Sequence, residues 1–200
     1  CNNAAGDIAE WYETEAGVEA GDVVAITDQQ FTFQEYRVDA KTGVTTQELL
    51  TTTTPVLAKS SGTYQRKLFG IVSTSPYQTF GDSIAKSGGQ NPQAIAVVGR
   101  VPVKVTNENG NIEPGDYLTS SATVPGYAMK MTKSGNSIGI ALENSNSDTE
   151  KIMVFVNLGY KLIGVNLEEH AGMATPLPGS DSEFFVTAFF GNVYEKVGTW

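Results

Sequence analysis

Two carboxylates stand three residues apart near the start of the chain. Asp7 and Glu10 lie in residues 6–12, among small and apolar neighbours. One carboxyl group can donate a proton to a leaving group while a second acts as a base, provided that their surroundings separate their pKa values. Trp11 and Tyr12 would supply such packing. Asp7 and Glu10 therefore have the residue types that such chemistry uses.

The same spacing is also typical of the start of a helix. Asp7 would be the N-cap of a short helix over residues 8–15, and Glu10 would complete a capping box three residues on. In this interpretation both carboxylates serve structure and not chemistry, so the sequence leaves the two alternatives open.

The rest of the chain predicts strands joined by tight turns. Residues 18–26 and 112–120 are two copies of one phrase, in which a Gly-Asp turn leads at once into a strand. Each copy is followed later in the sequence by an apolar strand centred on a glycine, at residues 69–72 and 138–142. Two copies suggest two related lobes of one domain.

Further strands are predicted at residues 30–38, 94–98, 101–106, 128–132 and 151–158. Asn109-Gly110 is typical of a hairpin turn. The expected fold is mainly β, a barrel- or sandwich-like domain of two related lobes with little helix, followed by an extended C-terminal β tail.

Composition changes after residue 160. We expect a β domain over residues 1–160, a connector rich in Pro and Gly over 161–182, and an apolar β tail over 183–200. Such a tail pairs with a sheet, either in its own chain or in a neighbouring one. The candidate assembly residues are Phe184, Phe185, Val186, Phe189 and Phe190.

The charge balance excludes some partners. With 13 basic and 22 acidic residues the net charge is −9, which disfavours nucleic acid and anionic membranes. No run of eighteen apolar residues is present, so no membrane insertion is expected. The Thr- and Gly-rich, Lys-poor composition is common in extracellular β proteins, and we expect a location outside the cell, on a cell surface or on a virion.

The residue inventory argues against most catalytic and metal sites. One His (His170) and one Cys (Cys1) cannot form a zinc cluster or a cysteine–histidine pair within one chain. Glu143 and Asp148 lack the pattern of a calcium loop. We therefore expect no metal and no cofactor. Cys1 is interpreted as an ordinary residue of a longer chain, an interchain disulfide partner or a lipidated residue.

Several phrases together resemble a known family. They are Asp-Ile-Ala-Glu-Trp-Tyr at 7–12, Gly-Ile-Val-Ser-Thr-Ser-Pro at 70–76, Gly-Arg-Val-Pro-Val-Lys-Val at 99–105 and the two Gly-Asp turns. Over residues 6–160 the chain resembles the C-terminal self-cleaving intramolecular-chaperone domains of phage neck-appendage and tail-spike proteins and of related large bacterial surface proteins.

The resemblance implies a role in folding and assembly of the chain's own polypeptide. It places a scissile bond between Gly6 and Asp7, with Asp7 and Glu10 assisting. This sequence departs from the family at Gly6, where the family usually has Ser, so a hydroxyl group is missing.

Three functions are therefore weighed. The leading one is a self-assembly module of a phage-fibre-like or cell-surface filament protein, with the chain itself as partner and without action on external substrates. The first alternative is self-cleavage at Gly6–Asp7. The second is a glycan-binding adhesin that would use exposed aromatic residues, namely Tyr64, Tyr77, Phe80, Tyr117 and Tyr127.

Overall fold

The computed structural model describes residues 6–39, 41–147 and 149–164, with the backbone of Phe184–Val186 and Glu195–Val197. The chain divides into two compact units, Cys1–Ile163 and Gly164–Trp200. The strands of the first unit are β1 (Gly6–Glu13), β2 (Val23–Val38), β3 (Thr45–Lys59), β4 (Leu68–Val72), β5 (Gln78–Phe80), β6 (Pro92–Lys104), β7 (Tyr117–Ser120), β8 (Ala128–Lys130), β9 (Gly135–Ala141) and β10 (Lys151–Lys161).

The mainly β prediction is confirmed. Ten strands form one sheet in the order β3-β2-β4-β6-β10-β9-β7-β8, while β1 pairs antiparallel with β6 and parallel with β5. The sheet is not closed, and the predicted barrel is not confirmed. In the second unit, β11 (Phe184–Val186) pairs antiparallel with β12 (Glu195–Val197).

The predicted helix over residues 8–15 is wrong, and so is the capping box at its start. β1 pairs with β6 along its whole length, and Asp7, Ala9 and Glu13, which share one face of the strand, are all buried. Long-range pairing therefore overrides the local capping signal. The only helix in the described ranges is α1 (Asp82–Lys86), which the sequence did not predict.

The two Gly-Asp turns have the same geometry. Gly21 and Gly115 have φ values of 90° and 96°, which only glycine adopts readily. Oδ2 of Asp22 accepts a hydrogen bond from the backbone N–H three residues earlier at 2.9 Å, and Oδ2 of Asp116 does so at 2.8 Å. The turn that the sequence predicts twice is therefore formed twice.

The apolar strands that follow these two turns, β4 and β9, also have equivalent pairing. β4 pairs with the start of β2 as β9 pairs with β7. A Cβ atom on Gly70 would lie 2.7 Å from the carbonyl oxygen of Ala96, and one on Gly139 would lie 2.4 Å from that of Phe155. Both glycines let the next strand approach closely, a feature that the two halves of this unit share. We call residues 6–98 lobe 1 and residues 99–163 lobe 2.

A hairpin at Asn109-Gly110 is not formed. The N–H of Gly110 donates to the carbonyl oxygen of Asn107 at 2.9 Å, so the turn is present. However, β6 and β7 on either side of it are not paired with each other. The turn instead leads into the second Gly-Asp phrase.

A buried ion pair joins the lobes. Asp22 of lobe 1 is fully buried, Lys104 of lobe 2 is 4% exposed, and Nζ of Lys104 lies 2.8 Å from Oδ1 of Asp22. Nζ also contacts Glu19, while the N–H of Lys104 donates to the carbonyl oxygen of Gly21 at 3.0 Å. Burial alone would lower the pKa of Lys104, but its bonds to Asp22 and Glu19 raise it. The lysine is thus held charged between the lobes.

We expect Lys104→Met to lower the free energy of unfolding by about 3 kcal/mol, because it leaves a buried carboxylate with less compensation. This loss is at the low end of what removal of one partner from a buried ion pair costs, because Nζ of Lys59 still lies 3.1 Å from Asp22. Urea unfolding measures it. Lys67→Met is the control: its pair with Asp28 is exposed to solvent, so its loss should change the free energy of unfolding far less than Lys104→Met does. Equal costs for the two variants would contradict this role of Lys104.

Candidate functional site

Asp7 lies near the start of β1 and is 2% exposed. Its carbonyl oxygen accepts a hydrogen bond from the N–H of Tyr77 at 3.0 Å. In the ladder with β6 it is the partner of Gly99. The strand, and not a local turn, therefore sets the position of this carboxyl group.

The structure does not bring Asp7 and Glu10 together. They are an odd number of residues apart on a continuous strand, so their side chains project from opposite faces. Glu10 instead accepts a hydrogen bond from the hydroxyl group of Tyr12 at 3.1 Å. Burial, together with the neighbouring Glu10, raises the pKa of Tyr12 to about 12. An acid–base pair made of Asp7 and Glu10 is not formed in this arrangement.

The peptide bond between Gly6 and Asp7 packs against a second glycine. A Cβ atom on Gly99 would lie 2.2 Å from the carbonyl oxygen of Gly6 and 2.5 Å from Cα of Asp7. Gly99 also has a φ of 108°, which disfavours other residues. On the other side, the guanidinium group of Arg100 lies against Gly6, where a Cβ would be 2.9 Å from it. The backbone at this bond is therefore closely surrounded.

A serine hydroxyl accompanies the Asp7 carboxyl group. Burial raises the pKa of Asp7, and the nearby Ser73 hydroxyl and a backbone hydrogen bond offset this only in part. Asp7 Oδ2 and Ser73 Oγ are both buried, and neither has a hydrogen-bond partner of normal geometry within the described residues. Buried polar atoms are rarely left in this state, and those that are mark candidate sites.

Sequence reasoning missed Ser73 as a member of this site. The residue lies just after β4 in a phrase that the sequence did single out, but 66 positions separate it from Asp7. No local spacing links the two residues. Only the pairing of β4 and β1 with the same strand, β6, brings them near each other.

The aromatic residues considered for glycan binding have different surroundings. Tyr77 is 82% exposed, whereas Tyr127 is half-buried beneath Nζ of Lys104, 5.7 Å from its ring centre. Tyr64 accepts hydrogen bonds from the N–H groups of Thr132 and Lys133. Tyr64 and Tyr127 thus have structural contacts, and Tyr77 keeps a free surface.

Several sequence-predicted residues lie outside the described residues, namely Cys1, Asp148, His170, Phe189 and Phe190. The backbone of Phe184–Val186 pairs with Glu195–Val197 of the same chain. Across the ranges that are described, no group of three or more His, Cys, Asp or Glu is placed to hold a metal ion. In the same ranges, no helix has the length and apolarity needed to cross a bilayer.

We expect Asp7→Asn to raise the midpoint of thermal unfolding at pH 7. Because the pKa of Asp7 is higher in the folded state, its stabilising contribution is complete below its unfolded value of 3.8 and is lost as pH rises through the folded value. The gain should therefore vanish towards pH 3.8, as scanning calorimetry from pH 3 to 7 would show. Asp39→Asn is the control of opposite sign, because bonds from the backbone of Thr42 and Lys41 lower the pKa of Asp39. A gain for Asp7→Asn that does not depend on pH would contradict the assignment.

Two comparisons, with protein families and with curated proteins, give no match. No protein-family model matches the chain. No curated protein matches it either. The resemblance to self-cleaving chaperone domains stays a prediction, and the function has to be argued from the geometry of the chain itself.

Proposed function

We propose that this protein is a structural, self-assembling module of a phage-fibre-like or cell-surface filament protein, acting outside the cell or on a virion. The observation that carries this proposal is a two-stranded ribbon formed by the distal parts of β2 and β3. We call it the arm and define it as residues 30–38 and 45–55.

The arm extends beyond the sheet. β2 has 16 residues, but only Val23–Ala25 pair with β4, and from Gln30 onwards β2 pairs with β3 alone. Both long edges of the arm therefore carry backbone groups with no strand partner among the described residues. A two-stranded ribbon is marginally stable in water, and open edges favour pairing with another chain.

The far end of the arm exposes apolar side chains. Tyr36 is 59% exposed and lies opposite Leu49, which is 48% exposed, while Leu50 is 37% exposed. Nearer the base, Phe33 is 7% exposed and stacks on Phe31. The base of the arm is thus packed within its own domain. Its outer part offers the kind of apolar surface that association covers.

The charge of the chain affects how copies can associate. A net charge of −9 makes identical copies repel each other over about 30 Å at 0.01 M ionic strength. Backbone pairing and apolar contact at the arm supply attraction that salt does not screen. Association through the arm is therefore favoured by added salt, whereas association by ion pairs is weakened by it.

We expect the unaltered chain to form oligomers, and Tyr36→Ser combined with Leu49→Ser to weaken them at least 100-fold. Each large apolar side chain contributes about 1.5–3 kcal/mol when it is fully buried. Sedimentation velocity over a concentration series, at low and high salt, measures this. Tyr160→Ser is the control, because Tyr160 is 64% exposed but lies on β10, away from the arm. Circular dichroism checks that each variant is folded.

Two results would overturn assembly through the arm. One is an unaltered chain that is monomeric at every concentration and salt tested. The other is equal weakening by the arm variant and by Tyr160→Ser. Deletion of residues 183–200 tests whether assembly depends on the C-terminal tail instead of the arm. An oligomer that is lost on this deletion but kept in the arm variant would assign assembly to the tail.

Self-cleavage at Gly6–Asp7 is a second candidate, favoured by one observation. Asp7 has a raised pKa, and the Ser73 hydroxyl lies near it, whereas position 6 of this chain is Gly and lacks the hydroxyl that the resembling family usually has there. A neutral carboxyl group can protonate the departing amide nitrogen. Water would then supply OH to the Gly6 carbonyl carbon and a proton to balance the products.

We expect this activity, if present, to give a new N-terminus at Asp7 in protein that has folded. Intact mass and N-terminal sequencing after incubation detect it. Asp7→Asn and Ser73→Ala should each slow cleavage about 100-fold, the scale of one acid–base group. Glu10→Gln is the matched control and should leave the rate unchanged, because Glu10 lies on the opposite face. Absence of a new N-terminus at any pH from 4 to 8 would exclude this candidate.

A further inference from the structure

Three ionisable side chains meet at the junction of the lobes. Nζ of Lys104 lies 2.8 Å from Oδ1 of Asp22 and also contacts the carboxylate of Glu19. Asp22 is completely buried and Lys104 is nearly so, whereas the side chain of Glu19 is 67% exposed. An amine, a carboxyl group and a second carboxylate in direct contact are the groups that amide formation requires. The junction therefore has the parts of a reactive centre as well as those of an ion pair.

The surrounding backbone and side chains hold the amine against the carboxyl group. The N–H of Lys104 donates to the carbonyl oxygen of Gly21 at 3.0 Å, which fixes β6 beside the first Gly-Asp turn. A Cβ atom on Gly126 would lie 2.8 Å from Oδ1 of Asp22, and the ring centre of Tyr127 lies 5.7 Å from Nζ. Cγ of Asp22 is one bond beyond Oδ1. The two atoms that would bond are thus held close together, as a near-attack arrangement requires.

The second carboxylate oxygen of Asp22 faces hydrogen-bond donors. Oδ2 accepts a hydrogen bond from the N–H of Glu19 at 2.9 Å and lies 3.1 Å from Nζ of Lys59. Attack at Cγ would place negative charge on this oxygen, and donors that are already aimed at it stabilise such a transition state. Lys59 therefore suits the part of a donor to Oδ2, while Lys104 suits that of the nucleophile.

Burial favours an amide over an ion pair at this position. Removing an ammonium group and a carboxylate from water costs free energy that their mutual attraction returns only in part, whereas an amide has no net charge. The second Gly-Asp turn offers a comparison. Asp116 and Lys130 lie 2.7 Å apart, but 23% and 29% of their side chains are exposed, so water solvates both charges. Only the first turn places such a pair out of water.

We propose that Lys104 and Asp22 form an isopeptide bond across the junction, with Glu19 as the proton carrier. The ammonium group of Lys104 first gives a proton to Oδ1 of Asp22, which leaves a neutral amine beside a neutral carboxyl group. Nζ then forms a bond to Cγ, and Glu19 takes a second proton from Nζ and passes it to Oδ1. The bond between Cγ and Oδ1 breaks, Oδ1 leaves as water, and Oδ2 becomes the amide oxygen. Glu19 ends as a carboxylate, and no oxidant or co-reactant is needed.

The ionisation of the cluster is consistent with these roles. The hydrogen bond from Lys104 lowers the pKa of Glu19, so this carboxylate is ionised at neutral pH and can accept a proton. Burial lowers the pKa of Lys104, but its bonds to Asp22 and Glu19 raise it. The same two carboxylates that hold the lysine charged are therefore the groups that must take its protons before and during attack.

The intact mass of the full chain, folded and then denatured, tests this proposal. The expected mass is that of the sequence less one water molecule. Proteolysis and tandem mass spectrometry should give a branched peptide that joins Lys104 to Asp22. A chain that keeps its full mass after prolonged incubation in the folded state at neutral pH would overturn the proposal. A loss of water that maps to another pair, such as Lys59 with Asp22, would overturn it too.

A gel in denaturant gives a second readout. Lys104→Arg keeps a positive charge opposite Asp22 but removes the primary amine, so this variant should keep its full mass. The linked residues are 82 positions apart, and a closed loop of that length makes the unfolded chain more compact. We therefore expect the unaltered chain to move ahead of Lys104→Arg. Equal mobility and equal loss of water in the two proteins would contradict the assigned bond.

The role of Glu19 is tested by rate. Chain made in a cell-free reaction is sampled over time, and Glu19→Gln should slow the loss of water about 100-fold, the scale of one acid–base group. Glu113→Gln is the matched control, because the N–H of Glu113 donates to Asp116 in the second turn as that of Glu19 does to Asp22. It should react as fast as the unaltered chain. Equal rates for the two variants would overturn the role of Glu19, and thermal unfolding checks that both are folded.

The proposed bond lies within one chain, so the oligomeric state does not enter this test. The arm formed by β2 and β3 contributes no group to the reaction. The isopeptide bond and assembly through the arm can therefore fail independently.

Discussion

The complete burial of the Asp22 carboxylate is the constraint on which the arrangement of the lobes depends. A buried charge costs several kcal/mol unless it is paired and hydrogen-bonded, and the Asp22 carboxylate is fully paired. Its partners come from three places: the backbone of its own turn at Glu19, Lys59 at the end of β3, and Lys104 at the end of β6. The space is closed by Gly126, where a Cβ would lie 2.8 Å from Oδ1. Moving lobe 2 away from lobe 1 would therefore leave this charge unmatched.

The second Gly-Asp turn shows that the ion pair between the lobes is not a feature of the turn itself. Asp116 forms the same turn and pairs with Lys130 at 2.7 Å, as Asp22 pairs with Lys59. However, 23% of its side chain is exposed. Asp116 therefore needs no third partner. The same Gly-Asp turn is thus a simple turn at Asp116, whereas at Asp22 it also holds the two lobes together.

Features of the fold could be predicted from the sequence where residues close together in the chain determine them. The Gly-Asp turns follow from local chemistry and were predicted, whereas the close packing of Gly70 and Gly139 against neighbouring strands was not. Residues 8–15 were assigned to a helix because an Asp followed three residues later by Glu serves a capping box and a strand equally well. Pairing with β6, some 85 residues away in sequence, decides between them. The proximity of Asp7 and Ser73 depends on that same pairing, so the sequence could not reveal it.

The unsatisfied carboxylate oxygens lie on one strand of lobe 1. Within the described residues, the buried carboxylate oxygens without a partner are Oδ2 of Asp7 and Oε2 of Glu13, and both belong to the same face of β1. The second half of β6 holds the corresponding place in lobe 2, and its buried charge, Lys104, is fully paired. Each unsatisfied buried group costs about 1–3 kcal/mol. The domain is therefore stabilised less by the buried polar groups of β1 than by those of the strand that corresponds to it in lobe 2.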